Sequence, residues 1–401
     1  GATNFALAYH GLDDRALQES LARLYLAACP ALGFVAPHCR EDPRQQCERP
    51  RIGFVSSFFR AHTIGRLFGR LIAGLPGQGF DVRVFSFNPQ EDALSGSLAE
   101  AVDEFIPLAP DLEAARQRIA EARLDILYFC DLGMEPLTYF LAFSRLAPIQ
   151  CVSWGHPVTT GIPSLDYFLS SHLTEPEGAG EAYSERLVRL RGFPVCVEAP
   201  PRAERARRRA NLYICPQSLF KFHPDFDRLI GQVLRLDPKG ELLVLEGSHP
   251  RWREILGRRW RRTLPGVAER IKFIPRMARE DYLNALAGAS VMLDTPHFCG
   301  GMTSLEGLAN RLPVVTLPGR FLRGRVTAGF LEALDLGECI AESEEEYAET
   351  AVRLAGAEGA AKKLRGQISD RAPSLFNNPR DLDENARFFR WALAGGQGSF
   401  P

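Results

Sequence analysis

Residues Leu293-Asp-Thr-Pro-His-Phe-Cys-Gly-Gly-Met-Thr-Ser-Leu-Glu-Gly-Leu-Ala309 combine a strand-like apolar end, a loop with Gly300 and Gly301, and a helix start at Thr303 or Ser304. Two glycines let the backbone approach a ligand closely, and a Thr-Ser helix start offers hydroxyls and unpaired N–H groups to an anion. Glu306, one turn into that helix, is placed to accept hydrogen bonds from ribose hydroxyls. The segment reads as a phosphate site or as an ordinary glycine loop before a capped helix. A second segment, Cys215-Pro-Gln-Ser-Leu-Phe-Lys-Phe-His-Pro-Asp225, sets Gln217 and Lys221 in an apolar frame. A lysine there supplies a point charge that offsets negative charge on a leaving group. Two further segments, Ser56-Ser-Phe-Phe-Arg-Ala-His62 and Cys151-Val-Ser-Trp-Gly-His-Pro-Val-Thr-Thr-Gly161, put His62 and His156 on loops after strands. A histidine in such a place moves protons or is simply a hydrogen-bonded structural residue.

These segments need strands to end them and helices to follow. Short apolar runs at Arg51–Ser57, Phe80–Phe87, Ile126–Cys130, Pro148–Ser153 and Tyr167–Ser170 read as strands, with helical spacing over Ile64–Leu75 and Leu112–Ala122. The pattern restarts with strands at Leu212–Cys215, Leu242–Glu246, Ile271–Ile274, Val291–Leu293 and Val314–Leu317. Strands alternating with helices in this way predict βαβ units and parallel sheets covered on both faces. A chain of 401 residues exceeds the usual reach of one hydrophobic core. The expected organisation is a helical segment and linker over 1–50, one doubly wound domain over 51–200, and a second over 201–401 with closing helices. In such sheets ligands gather beyond the carboxyl ends of the strands. His62 is therefore expected at a cleft, facing the Gly300–Ser304 loop.

Composition excludes several alternatives. A net charge of −1 gives no general attraction to nucleic acid or anionic membranes. No apolar run is long enough to span a bilayer. The nine cysteines show no CxxC spacing, so most are expected to be buried small apolar residues in a cytoplasmic protein. The basic stretch Arg251–Arg262, with Trp252 and Trp260, reads as a surface helix whose tryptophans pack inward, rather than as a nucleic-acid site.

The ordered set Gly155-His-Pro-Val-Thr-Thr-Gly161, Cys215-Pro-Gln-Ser-Leu-Phe-Lys221, Gly300-Gly-Met-Thr-Ser-Leu-Glu306 and Leu312-Pro-Val-Val-Thr-Leu-Pro-Gly319 resembles the catalytic region of O-linked N-acetylglucosamine transferases and SPINDLY-like glycosyltransferases. Bacterial members, including the adhesin N-glycosyltransferases, share the Gly-His-Pro-x-Thr-Thr element. The resemblance implies an α/β fold of the GT-B type, with two doubly wound Rossmann-like domains facing across a cleft. It also implies inverting transfer from a nucleotide sugar with no cofactor and no required metal. Asp225-Phe-Asp227 is not taken as a metal-binding DxD loop, because a helix cap explains it.

Carried over position by position, the resemblance places Lys221 and Gln217 on the donor diphosphate, together with Gly300, Gly301, Met302, Thr303 and Ser304 at the helix start. Glu306 takes the ribose position, and Met277, Arg279 and Tyr282 lie by the base. Trp154, Gly155, His156 and Pro157 face the sugar, and His62 and His10 match histidines of the active cleft. The expected donor is UDP-GlcNAc or a related UDP-hexose, and the expected acceptor is a protein Ser/Thr hydroxyl. Other donors or linkages within the resemblance are GDP-fucose, a CMP-linked nonulosonic acid as on flagellin, and asparagine N-glucosylation. Outside enzymes, a nucleotide-binding interaction module would keep the same fold. Relatives usually carry a tetratricopeptide array upstream that recruits the protein acceptor; either such an array precedes this region or this member finds acceptors differently.

Overall fold

A computed structural model describes residues 3–40, 49–87, 89, 91–203, 207–356 and 358–401. The chain forms two compact units, one of Gly1–Leu7, Leu12–Glu198 and Asn377–Pro401, the other of Ala8–Gly11 and Ala199–Phe376.

The first unit holds a seven-stranded sheet: β1 (Arg51–Ser56), β2 (Asp81–Phe87), β3 (Glu104–Leu108), β4 (Ile126–Phe129), β5 (Ile149–Val152), β6 (Tyr167–Ser171) and β7 (Arg186–Leu190), in the order β3-β2-β1-β4-β5-β6-β7. Every neighbouring pair is parallel. All four residues of β4 are buried, as a strand covered on both faces requires. The helix Thr63–Gly74 buries Ile64, Leu67, Phe68, Leu71 and Ile72, one stripe at helical spacing. Sequence reasoning missed β3 and β7, and both are sheet edges. Pro107 in β3 and Arg186 and Arg189 in β7 break the apolar run, and edges tolerate such residues because one side makes no ladder.

The second unit holds five parallel strands: β8 (Leu212–Cys215), β9 (Glu241–Leu245), β10 (Ile271–Ile274), β11 (Val291–Leu293) and β12 (Val314–Val315). Their order is β10-β9-β8-β11-β12, a doubly wound arrangement whose strand order reverses between β8 and β11. That reversal opens a crevice beyond the ends of β8 and β11, which carry the Gln217–Lys221 and Gly300–Ser304 segments.

Two ends of the chain depart from the expected order. The last helix, Pro379–Leu393, belongs to the first unit rather than to the second. Its Phe388 and Phe389 are fully buried there, with Phe389 edge-on to Phe54 and Phe80, and Asp381 accepts a 2.9 Å hydrogen bond from Phe193 N. Near the start, the expected long helix is a 3-10 turn over Phe5–His10 and an α-helix over Arg15–Ala28. Gly11 interrupts them at φ +70°, a left-handed conformation, and Ala8–Gly11 groups with the second unit. Of the nine cysteines, Cys47 lies outside the described residues; Cys130, Cys151, Cys196, Cys215, Cys299 and Cys339 are buried and Cys29 is exposed. Among the described residues no helix is long and apolar enough to cross a membrane.

Candidate functional site

In the second unit the loop after β8 and the loop after β11 are joined by one chain of hydrogen bonds. Lys221 Nζ donates to Gln217 Oε1 at 3.0 Å and to the Cys299 carbonyl at 3.0 Å. Gln217 Nε2 in turn donates to Thr303 Oγ1 at 2.7 Å. The lysine head also sits 4.6 Å from the centre of the Phe298 ring, a cation–π contact. Burial lowers the Lys221 pKa, with Cys299, Asp294 and Cys215 acting against that shift. An arriving anion would favour the charged form further.

Thr303 lies in the first turn of the helix Met302–Ala309, whose N-cap is Gly301, so the helix begins one residue earlier than expected. No side chain caps it, leaving the first N–H groups for another acceptor. Gly301 faces open space, whereas a Cβ at Gly300 would meet the Gln217 and Thr303 side chains. Ser304 differs from the expectation that its hydroxyl is presented outward: it is fully buried and bonded to Thr327 Oγ1 at 2.8 Å. Thr303, with its oxygen already accepting from Gln217, keeps a hydroxyl proton to donate.

Glu306 is buried in the same helix and binds Arg279 Nη1 at 2.6 Å and Tyr282 OH at 2.9 Å. Arg279 and Tyr282 open the helix Arg279–Gly288, and Met277 sits half-buried in the loop leading to it from β10. Arg279 and Tyr282 fix the orientation of the Glu306 carboxylate.

Sequence reasoning did not find Asp294, the first residue after β11. It is fully buried, accepts from Gly300 N at 2.7 Å and from Thr316 Oγ1 at 2.8 Å, and so sets the shape of the glycine loop. Burial raises its pKa, opposed by the Gly300, Thr327 and Thr316 hydrogen bonds. A charged residue directly after an all-apolar strand was the available signal. The capping role expected of Asp225-Phe-Asp227 is also corrected. His223 caps the helix Pro224–Leu236 through Nδ1, while Asp227 pairs with Arg259 at 2.8 Å and Trp260 Nε1 at 2.9 Å. Trp260 points inward, as expected for the helix Pro250–Thr263.

In the first unit His62 caps the helix Thr63–Gly74, its Nδ1 accepting from Ile64 N at 3.2 Å, and its ring stacks on Phe58 at 4.4 Å. Burial lowers its pKa, with Arg60 and Arg66 acting in the same direction. A neutral ring with Nδ1 engaged as acceptor carries its proton on Nε2, an assignment made from the hydrogen bond. His156 is buried and stacks on Phe5 at 4.8 Å, and Trp154 packs edge-on to Phe193 at 5.5 Å. Gly155 is required where it stands, because a Cβ would collide with the Cys130 carbonyl. Behind this turn the buried Glu185 accepts from Thr159 Oγ1 at 2.7 Å and Thr160 N at 2.8 Å, which explains the paired threonines. His10 is exposed at the end of the Phe5–His10 turn and groups with the second unit.

Beneath these loops, Asp131 accepts from Ser56 Oγ at 3.0 Å and Ser57 N at 2.9 Å. Burial pushes its pKa up to about 7, the Ser57, Ser56 and Thr138 hydrogen bonds oppose this, and Glu135 adds to it. The folded state therefore holds this proton more tightly than the unfolded chain does, so stability falls as pH rises from the usual carboxylate range to about 7. Asp131→Asn keeps an acceptor for both serines and removes the titration. At pH 7 it is expected to be more stable than the parent by about 4 kcal/mol, with the gap closing towards pH 4. Melting curves across that range check this, and parallel pH profiles would refute it.

The profile of glycosyl transferase family 41 matches residues 15–193 and 208–381. The chain belongs to glycosyl transferase family 41.

This family 41 chain is 26% identical over 357 residues to a tomato protein described as a probable UDP-N-acetylglucosamine–peptide N-acetylglucosaminyltransferase SPINDLY, covering 80% of this chain and 36% of the relative. It is 25% identical over 370 residues to the Arabidopsis thaliana protein SEC, described with the same probable activity, covering 85% and 37%. The chain thus spans little more than a third of the length of these curated relatives. A mutant of the O-GlcNAc transferase of Thermobaculum terrenum superposes with a TM-score of 0.84 at 27% identity, covering 97% of this chain and 75% of that one. Sucrose-phosphate synthase of Thermosynechococcus elongatus shares only the fold, with a TM-score of 0.58 at 14% identity over 86% of this chain and 100% of that one. The two Rossmann-like units are those of a GT-B glycosyltransferase, and the family 41 chain is an enzyme of that class.

Proposed function

We propose that this chain catalyses inverting, metal-independent transfer of GlcNAc, or a related hexose, from a UDP-sugar to Ser/Thr hydroxyls of proteins. The observation that carries the reading is the hydrogen-bonded series Lys221–Gln217–Thr303 at an uncapped helix start. It gathers an ammonium, a hydroxyl and backbone N–H groups where a diphosphate would gain charge. The names of the tomato relative and of the Thermobaculum terrenum structure support the sugar and the acceptor class. In the proposed step the acceptor oxygen bonds to the anomeric carbon as the bond from that carbon to the phosphate oxygen breaks. The bonding electrons leave on the diphosphate, and the acceptor proton is released. Lys221 and the helix N-terminus supply the positive charge that a metal supplies elsewhere. His62 offers an N–H, not a lone pair, and so serves as a hydrogen-bond donor.

The test is binding of UDP, GDP and CMP followed by transfer assays with and without EDTA. Preference for UDP and turnover unchanged by the chelator are expected. Preference for GDP or CMP would change the donor, nucleotide binding without any transfer would favour a nucleotide-binding interaction module, and activity restored only by Mn²⁺ would refute metal independence. His62 separates a reacting role from a capping one. His62→Ala is expected to lose about 1 kcal/mol of stability, whereas His62→Asn retains a capping acceptor. Both variants should lower turnover more than nucleotide affinity. Normal turnover in His62→Asn would leave His62 a cap alone.

A further inference from the structure

In the second unit His223, Asp225 and His297 bring one donor atom each within 4.8 Å of the others. His297 Nε2 is 2.7 Å and His223 Nδ1 is 3.2 Å from the same oxygen, Asp225 Oδ2. The two imidazoles stand at 79° with centres 4.5 Å apart, so they converge on the carboxylate without stacking.

The surroundings hold each group in place. His223 and Asp225 flank Pro224 at a helix start, and His297 comes from the loop after β11. His297 adopts φ +62°, in the left-handed region. Its Nδ1 edge lies against Gly11, where a Cβ would overlap it. The second carboxylate oxygen, Asp225 Oδ1, is held at 2.8 Å by Arg228, whose guanidinium also pairs with Glu344 at 2.7 Å. Burial would raise the Asp225 pKa, but hydrogen bonds from His297 and Arg228 hold it below the usual carboxylate value. His223 Nδ1 accepts from Asp225 N at 3.2 Å, so that nitrogen carries a lone pair.

We propose that His223, Asp225 and His297 bind a divalent transition metal of the Zn²⁺ class. Two imidazole nitrogens and one carboxylate oxygen suit borderline cations, whereas Mg²⁺ and Ca²⁺ take all-oxygen shells. Three protein ligands leave a position for water. The metal replaces the proton that His297 Nε2 and Asp225 Oδ2 share, and the imidazole proton relocates to Nδ1. His223 Nδ1 turns its lone pair from the Asp225 N–H to the metal and gives up its helix cap. The cation then ties the loop bearing Lys221 to the loop whose Cys299 carbonyl holds Lys221. It plays no part in the transfer step, so the proposal stands independently of the donor assignment.

Titrating the whole chain with Co²⁺ and following its visible ligand-field absorption tests the site. One saturable equivalent per chain, displaced by Zn²⁺, is expected. His223→Asn and His297→Asn should each weaken binding by about 100-fold or more. Both are chosen to fold, since asparagine caps helices and tolerates positive φ. Asp225→Asn gives a third measurement should either fail to fold. No saturable signal, equal binding in the variants, or strong sulfur-to-metal absorption, which would point to a cysteine such as the exposed Cys29, would each overturn the proposal.

Discussion

Lys221→Ala is expected to lower sugar transfer by about a hundredfold or more while the chain stays folded. On the proposed function, the departing diphosphate gains charge where water is scarce, and Lys221 is the cation placed to meet it. The lysine is also the donor that orients Gln217, which in turn orients Thr303, so its loss disorders the polar series as well as removing a charge. The fold is spared because no strand or helix depends on the ammonium. Steady-state kinetics with a melting curve as control would measure the effect. Turnover within a few-fold of the parent in a folded variant would remove Lys221 from the mechanism.

Gly300→Ala is expected to be the next most damaging change, acting on donor binding. The new methyl group would land on Ser304 Oγ, 2.7 Å from Gln217 Nε2 and 3.0 Å from Thr303 Oγ1. The Gln217 and Thr303 side-chain ends can move aside, whereas the buried Ser304 must turn its hydroxyl from Thr327, so some stability is lost as well. The series they form cannot survive the movement. On the proposed function, losing hydrogen bonds from this series to the donor diphosphate corresponds to about 2 kcal/mol, or roughly thirtyfold in UDP affinity. Gly337→Ala, outside the site, is the matched control, because its Cβ meets nothing within 4 Å. Calorimetric titration of both variants with UDP tests the pair: equal affinities would mean that Gly300 does not shape the phosphate site.

How much of this was legible in the sequence depends on the range of each interaction. β8 and β11 announce themselves as uninterrupted apolar runs because their burial on both faces is a local demand. Gln217 and Lys221 stand four residues apart in one loop, so their contact lies within reach of the sequence. That Gln217 reaches Thr303 was not legible, since the two are 86 residues apart and meet only because β8 and β11 are sheet neighbours. Asp294 was missed because its importance lies in what it accepts from, not in any motif. The capping role given to Asp225 and Asp227 failed for a related reason. Propensity favours aspartate at helix starts, but both carboxylates have ion-pair partners further along the chain or in another loop, and His223 was already in the cap position.

The histidine caps give the protein a vulnerability to acid. The helices Thr63–Gly74, Pro224–Leu236 and Pro250–Thr263 all begin with an imidazole nitrogen accepting a backbone N–H, from His62, His223 and His249. Serine or asparagine in those places would be indifferent to pH. An imidazolium has no lone pair to accept with, and it places positive charge at the positive end of a helix. His62 and His223 have pKa values lowered by burial, so the stability their neutral rings contribute is complete above the usual histidine range and is lost as pH falls through their own values. Mild acidification would therefore loosen the first turns of helices in both units, including those that begin just after His62 and just after Lys221, while the sheets beneath keep their hydrogen bonds.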